Sequence, residues 1–456
     1  MLTYLHRALS RYLALPLFWR IKRVPVARYY SEFQAHQNSS QSDFQQRQNL
    51  RLHNIIRHAL ETVPEYRNLD SQRLRSILSN DPVECLKKLP IIQKVNLVDK
   101  LNSFKSNNAK RYFKNSSGGS TGSPVIVYQD IDYKASSLAA RDCIYRWAGV
   151  NAGDTSIKLW GAERDFVKGA YGFKQKFADF IGNRTTLNAF NMTPNRMSEY
   201  VAQINVKRPM CLEGYADSLY SLACFVAERS LTVHRPSAIV SSAGTLLPHM
   251  RDQIEGTFSC PVFDRYGCRE ASSLAAECSV HEGLHIFGET TFVELLDRNG
   301  SEVEPGEEGR VVVTNLFNRA MPLLRYEIGD YAVKGRSSCT CGMPYPKLQR
   351  IIGRSSAIFR TKDGGYVLPE LFIHLIGVTY NDGEIAKFQV VQKDQETIVV
   401  RLVFKSPHEL DGWQKKDILS ALIAKAMNSS VNVVFQQEDD IELTPTGKFL
   451  YTVSHI

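Results

Sequence analysis

Between Val125 and Phe263 the chain alternates two kinds of segment. Short runs rich in β-branched and aromatic residues, such as SPVIVYQ, TSIKLW and SAIVSSAG, are separated by longer stretches with helical apolar spacing, such as SLYSLACFVAERS. Parallel strands need a long crossover between them, and a helix of this length supplies one while covering a sheet face. The alternation therefore predicts a parallel α/β sheet with helices on its faces. After Gly283 the pattern changes to strands separated by turn signals, HIFGETTFVELLD, NGSEVEPGEEG and RVVVTNL, which predicts an antiparallel subdomain. The last hundred residues carry FQVVQ, ETIVVRLVF, the helical KKDILSALIAKAM and VNVVF, a compact α+β module. Ahead of all this, Gln48 to Arg67 has helical spacing at Leu50, Ile55, Ile56, Leu60 and Val63 and breaks at Pro64. The expected class is α/β plus α+β, and 456 residues exceed what one core usually serves.

The net charge of +9 comes from 56 basic residues dispersed among 47 acidic ones, which describes a solvated surface and not a nucleic-acid stripe. The first thirty-one residues are the exception. They carry Arg7, Arg11, Arg20, Lys22, Arg23 and Arg28, no acid, and the apolar run YLALPLFW. Two readings follow: peripheral contact with anionic lipid, or packing on the body of the protein. No apolar run is long enough to span a bilayer. Nine cysteines, an odd number with no clear export signal, read as reduced thiols of a cytoplasmic protein. Cys339 and Cys341 stand one residue apart in a Gly/Pro loop, SSCTCGMPYP. With Cys278 and His285 upstream they make a Cys₃His set suited to structural Zn²⁺, with His281 as the competing fourth ligand and Cys268 in reserve.

The segment KNSSGGSTGSPV spends conformational entropy on three glycines. Its readings are a surface loop or a cradle whose backbone N–H groups and hydroxyls hold phosphate, and the Walker spacing is absent. Four later segments bear on the choice: DRYGCREAS, MPLLRYEIGDYA with Arg325 and Asp330, RIIGRSSAIFRTKDGGYVLPELF with Gly353 and Arg354, and TPTGKFLY with Lys448. Each alone is weak, but in this order they resemble the core motifs of the adenylate-forming superfamily of acyl-CoA synthetases, adenylation domains and luciferases. Within it the chain looks most like the phenylacetate-CoA ligase group, and specifically the branch of capsular polysaccharide biosynthesis. VPEYR, LEGYADSLYSLA, AECSVHEGLHIFGE and the Arg269 of YGCRE carry that likeness.

The resemblance implies a large domain, 1–355, with mixed sheets flanked by helices, and a small mobile α+β lid, 356–456, hinged at Ser356 where relatives have Asp. It implies ATP-dependent adenylation of a small-molecule carboxylate, release of pyrophosphate, and transfer of the acyl group to an acceptor. That acceptor is an amine or hydroxyl of a glycan precursor, or coenzyme A; a silent adenylate-binding scaffold is the reading from another class. Ser116, Ser117, Gly118, Gly119, Ser120, Thr121 and Gly122 would hold the departing phosphates. Glu270 would bind Mg²⁺, with Arg269 beside it in the catalytic set. Ala243, Gly244, Tyr266 and Gly267 would line adenine, Asp330 would take the ribose hydroxyls, and Arg350 and Arg354 complete the nucleotide set. Lys448 would reach the α-phosphate and the substrate carboxylate as a charge on a flexible stem. Some relatives carry the same Cys/His pattern, which supports the zinc assignment. Trp147, Trp160, Tyr171 and Tyr215 are the aromatic candidates for the acid pocket, and Arg164 the charged one. The oligomeric state and the identity of the acid are not legible in the sequence.

Overall fold

The structure is a computed structural model that describes residues 2–69, 71–116, 125–160, 173–189, 192–336, 338–354, 358–362, 366–367, 369–381, 384–405, 410, 413–427, 431–442 and 449–456. Its contacts divide the chain into two units, Met1–Ile328 with Ala332–Arg350, and Gly329–Tyr331 with Ile351–Ile456.

In the first unit a long helix, Gln41–Thr62, starts earlier than the apolar spacing alone indicates. The Ser40 hydroxyl accepts from the Asp43 N–H, and Asp43 sits in the positive first turn, so the cap sets the start. The helix stops at Val63 because Pro64 cannot continue it. Strands β1 (Tyr112–Ser116) and β2 (Ile126–Asp130) form an antiparallel ribbon with Ser116 opposite Ile126. SPVIVYQ therefore stands outside the main sheet. Its partner lies a few residues away, and a local antiparallel pairing needs less loop closure than a place among parallel strands. At the end of β2, one Asp130 carboxylate oxygen accepts from Tyr133 N–H and caps the helix Ile131–Trp147, while the other accepts from the N–H groups of Arg319 and Ala320.

The parallel strands are β3 (Ser156–Trp160), β4 (Arg184–Asn188), β5 (Cys211–Tyr215), β6 (Ala238–Ser242) and β7 (Val262–Cys268), in the order β4-β3-β5-β6-β7. Every residue of β5 and β6 is buried, as a strand covered on both faces requires. Helices Pro194–Lys207, Ala216–Glu228 and Pro248–Phe258 pack one face through Ile157, Leu212, Leu219, Ile239, Ile254 and Phe258. On the other face Tyr145 of the helix Ile131–Trp147 packs against Cys211, Ala238, Val240 and Phe263. The winding reverses between β3 and β5, which makes the carboxyl ends of those two strands the expected ligand crevice.

Beyond β7 the sheet continues through β8 (Ser272–Glu277), β9 (Leu284–Ile286), β10 (Thr291–Leu296), β11 (Glu308–Asn315), β12 (Tyr326–Lys334) and β13 (Lys347–Arg354). The full order is β10-β11-β12-β13-β9-β8-β7-β6-β5-β3-β4. The antiparallel strands expected as a subdomain thus extend one continuous sheet.

The second unit holds a short hairpin of β14 (Phe359–Arg360) and β15 (Tyr366–Val367). Its main sheet is formed by β16 (Ile385–Gln392), β17 (Thr397–Phe404), β18 (Asn432–Gln437) and β19 (Thr452–Ser454), ordered β18-β17-β16-β19. The helix Lys416–Ala426 covers it, and Phe359, Phe372, Phe388, Val400, Trp413, Leu419 and Ile423 form its core.

One polar cluster interrupts the apolar cover of the parallel strands. Lys158 on β3 lies in register with Glu213 on β5, their charged atoms 2.9 Å apart, and Arg265 on β7 reaches the same carboxylate at 3.3 Å. Burial alone would raise the Glu213 carboxyl, but the two cations outweigh it and hold it at about 2. Lys158 is pushed down to about 8, because burial and then Arg265 oppose its charge more than Glu213 supports it. Glu213→Gln leaves two half-buried cations facing a neutral amide, so thermal unfolding at neutral pH should show a Tm lowered by roughly 5–10 °C. Since the folded carboxyl titrates below the unfolded one, this difference should be complete above pH ~4.5 and vanish as pH falls through about 2.

Candidate active site

The reversal of winding sets the site. At the carboxyl end of β3 and β5 the rings of Trp160 and Tyr215 pack at 4.4 Å, and the Lys158 ammonium lies 3.9 Å from the Trp160 ring centroid. Strand β6 ends in Ser242, and Ala243 then takes φ +63°, a conformation that a side chain disfavours and that local packing must impose. Gly244 follows against the start of the preceding crossover helix, where an added Cβ would lie 3.3 Å from Asp217 Oδ2 and 3.4 Å from Ala216 Cβ. Ala243 and Gly244 thus stand at the same edge as Tyr215.

Strand β7 carries Tyr266 and Gly267 into a tight turn, Arg269–Ala271, before β8 returns. Gly267 lies opposite Ser273 beside a register shift, and a Cβ there would come within 2.3 Å of the Ser272 carbonyl oxygen. The hairpin closes only because that position lacks a side chain. Its turn is held from the β1–β2 ribbon and the following helix. Gln129 Nε2 donates to the Arg269 carbonyl at 2.8 Å, and the Tyr133 hydroxyl lies 3.3 Å from the carbonyls of both Arg269 and Glu270. The Arg269 guanidinium in turn donates to the Ser116 carbonyl at 2.8 Å. Two motifs separated by some 150 residues of sequence, the start of the Gly/Ser segment and the turn bearing Glu270, are thereby joined.

Other candidates fall elsewhere. Ser117, Gly118, Gly119, Ser120, Thr121, Gly122, Arg164, Tyr171, Ser356 and Lys448 lie outside the described residues. Asp330 and Arg354 belong to the C-terminal unit, where they form an ion pair at 3.0 Å on strands β12 and β13. Arg350 reaches Glu308 at 3.8 Å. Arg325, in the same motif as Asp330, is buried with φ +53°, pairs with Glu294 at 3.0 Å and donates to the carbonyls of Lys87 and Leu89, all of which brace the fold. Trp147 is a core residue packed against His285, Phe287 and Tyr345.

The thiols converge as a separate centre in the N-terminal unit. One ligand atom from each of Cys278, His285, Cys339 and Cys341 lies within 4.8 Å of all the others. Cys278 Sγ and Cys339 Sγ are 3.8 Å apart and Cys341 Sγ is 3.2 Å from His285 Nε2. A zinc tetrahedron with bonds of about 2.3 Å to sulfur has sulfur–sulfur edges of about 3.8 Å, so the set fits the ion. His285 is fully buried, and its Nδ1 sits 3.1 Å from the Tyr345 carbonyl. That contact fixes Nδ1 as the donor and leaves the Nε2 lone pair toward the thiols, while burial lowers the ring's basicity and keeps it neutral. His281 instead meets Glu277 at 3.1 Å, and Cys268 lies on β7 outside the group. Burial pushes the Cys341 thiol up to about 12 and raises Cys278 as well, whereas at Cys339 burial is outweighed by hydrogen bonds from the Cys341 N–H and the neighbouring thiols, which lower it, so Cys278 and Cys341 need a cation to ionise.

Residues 359–455 match the family model of the CapK C-terminal domain. Protein CapK of Staphylococcus aureus is 26% identical over 376 residues, covering 81% of this chain and 80% of that protein. Phenylacetate-coenzyme A ligase of Thermus thermophilus is 27% identical over 328 residues, 67% of this chain and 69% of that enzyme. The crystal structure of 2-hydroxyisobutyryl-CoA ligase in its postadenylation state shares the fold, with a TM-score of 0.68, 16% identity, and coverage of 91% of this chain and 90% of that one. The chain thus shares the fold of an adenylate-forming CoA ligase and is similar in sequence to ligases of that kind. Its likeness is to the phenylacetate-CoA ligases and, over more of its length, to CapK.

The cluster of Lys158, Glu213 and Arg265 escaped the sequence reading. Its signal is present, since a charged residue in the middle of TSIKLW, CLEGY or FDRYG is out of place in a strand buried on both faces. If the thiol centre holds zinc, purified protein should contain about one equivalent, and Cys339→Ser with Cys341→Ser should lose it and lower Tm by roughly 5 °C or more. Zinc content below about half an equivalent in protein purified without chelator would contradict the assignment.

Proposed function

We propose that this ligase activates a polar carboxylic acid, of the sugar-acid or amino-acid type, and transfers its acyl group to an amine or hydroxyl during assembly of a capsular or surface polysaccharide. The observation that carries the site assignment is the Arg269–Ser116 hydrogen bond, because it tethers the start of the Gly/Ser segment to the turn bearing Glu270. A carboxylate attacking the α-phosphorus of ATP meets charge repulsion, so the site must supply cations and donors around the transition state. In this reading Ser116 to Gly122 hold the leaving phosphates and Arg269 keeps that loop beside Glu270. Ala243, Gly244, Tyr266 and Gly267 border the base, and Asp330, with Arg350 and Arg354, takes the ribose side. Mg²⁺, held by Glu270, would neutralise phosphate charge. The small domain from 356 onward acts as a lid that presents Lys448 to the α-phosphate and withdraws it for acyl transfer, with Ser356 in the hinge.

Support for a polar acid comes from the crevice at the reversal of winding. Lys158 and Arg265 face one carboxylate, Glu213, which leaves a positive surplus beside the Trp160–Tyr215 pair. Aromatic faces next to charge suit a hydroxylated acid better than a purely aryl one. Thioester formation with coenzyme A is the second reading, favoured by the likeness to the phenylacetate-coenzyme A ligase across two-thirds of the chain.

ATP–pyrophosphate exchange measured across uronic acids, amino acids, aryl acids and fatty acids tests the proposal, since only a true substrate drives the reverse reaction. A polar acid should support exchange, and Lys448→Ala should reduce it at least ~100-fold. Exchange driven by aryl acids alone would overturn the substrate class, an unchanged rate in Lys448→Ala would remove that residue from the mechanism, and no exchange with any acid would favour the silent scaffold.

A further inference from the structure

The N-terminal helices are docked with their polar side inward. Leu2–Leu9 and Leu15–Ile21 are α-helical, and between them Ser10–Ala14 forms a π-turn in which the Leu15 N–H bonds to the Ser10 carbonyl. Pro16 accounts for the turn, because its ring and missing N–H displace the carbonyl one turn earlier. Ser10 is buried and donates to the Ile181 carbonyl, and Arg11 Nε donates to the Ala152 carbonyl at 3.0 Å. Arg7 and Arg11 both pair with Asp154, whose side chain is fully buried. The approach is close, since a Cβ on Gly153 would lie 2.8 Å from the Arg11 backbone nitrogen.

This docking leaves the apolar side in water. Leu9, Leu13, Leu17 and Ile21 recur every four residues and are 46%, 60%, 51% and 70% exposed, with Tyr12 beside them at 73%. A neighbouring helix, Phe173–Ile181, is joined through the His6–Phe180 ring contact and adds the exposed Phe177 and Phe180. Arg20 on the second helix, Lys22 and Arg23 just past its end, Arg28 on the following helix Val26–His36 and Lys176 on Phe173–Ile181 are exposed, and Glu32 is the first acid of the chain. A globular protein ordinarily buries such an apolar row, so this one is built for another surface.

We infer that this face seats on an anionic lipid surface, with Tyr12, Leu13, Leu17, Ile21, Phe177 and Phe180 entering the headgroup boundary and the surrounding lysines and arginines pairing with acidic headgroups. The segment lies in the interface plane and does not cross it, since no helix among the described residues is long and apolar enough to span a membrane. A second copy fits less well, because a two-fold axis would bring the same cations face to face.

Flotation of the full-length protein with phosphatidylcholine vesicles, with and without phosphatidylglycerol, tests the assignment. The protein should float with the anionic vesicles and at least ~10-fold less with neutral ones or in high salt. Leu13→Glu with Leu17→Glu should reduce binding at least ~10-fold while the ATP–pyrophosphate exchange rate stays that of the wild type. Absence of flotation, or equal flotation of wild type and variant, overturns the inference. So does a wild-type dimer that the double substitution converts to monomer without any vesicle binding, which would assign the face to a second copy.

Discussion

A strand buried on both faces leaves a chain almost nowhere to keep polar groups except at its ends, and the rest of this structure depends on that constraint. Strands β5 and β6 are buried from first residue to last, and three helices close one side of the sheet they anchor. The candidate site residues Tyr215, Ala243, Gly244 and the Arg269–Glu270 turn accordingly follow one another along the carboxyl edge of these strands. The charged cluster on the parallel strands, Glu213 between Lys158 and Arg265, lies next to the reversal of winding, where a crevice is expected. Desolvation makes such a cluster costly, and its position at the crevice gives a reason for keeping it.

Much of this was legible before any coordinates. The strand–helix alternation gave the parallel sheet, because β-branched runs spaced by helical stretches have few other arrangements. The thiol set was legible as chemistry, yet its fourth ligand was not, since His281 and His285 have similar claims by spacing. Only the strand β9, which buries His285 under the Tyr345 carbonyl, separates them, and His281 turns to Glu277. The β1–β2 ribbon was misplaced for a related reason, as a strand's period says which face is buried and nothing about which partner it pairs with. Arg325 shows the converse limit, for a motif can place two charged residues five apart while one of them braces the backbone of a distant loop.

The two devices outside the crevice follow the same logic with different means. The loop bearing Cys339 and Cys341 has no regular structure to satisfy it, and a metal ion held by the four ligands would fix it against β9 through a few strong contacts in place of many weak ones. The N-terminal helices are held by the buried Asp154 and by Trp19 against the core, while Leu13, Leu17 and Ile21 stay exposed. A ligase that assembles surface glycan and rests on an anionic membrane would have its substrates and its product at the same boundary.

The central claim is that a carboxylate oxygen attacks the α-phosphorus of ATP. Turnover with a substrate acid whose carboxylate carries a heavy oxygen isotope tests it most directly. The acyl-adenylate forms through one labelled oxygen, and acyl transfer then breaks the acyl carbon–oxygen bond and leaves that oxygen on the nucleotide. One labelled oxygen per turnover should therefore appear in AMP, as read by mass spectrometry, and none in pyrophosphate. Label found in inorganic phosphate, with ADP as the nucleotide product, would contradict the account.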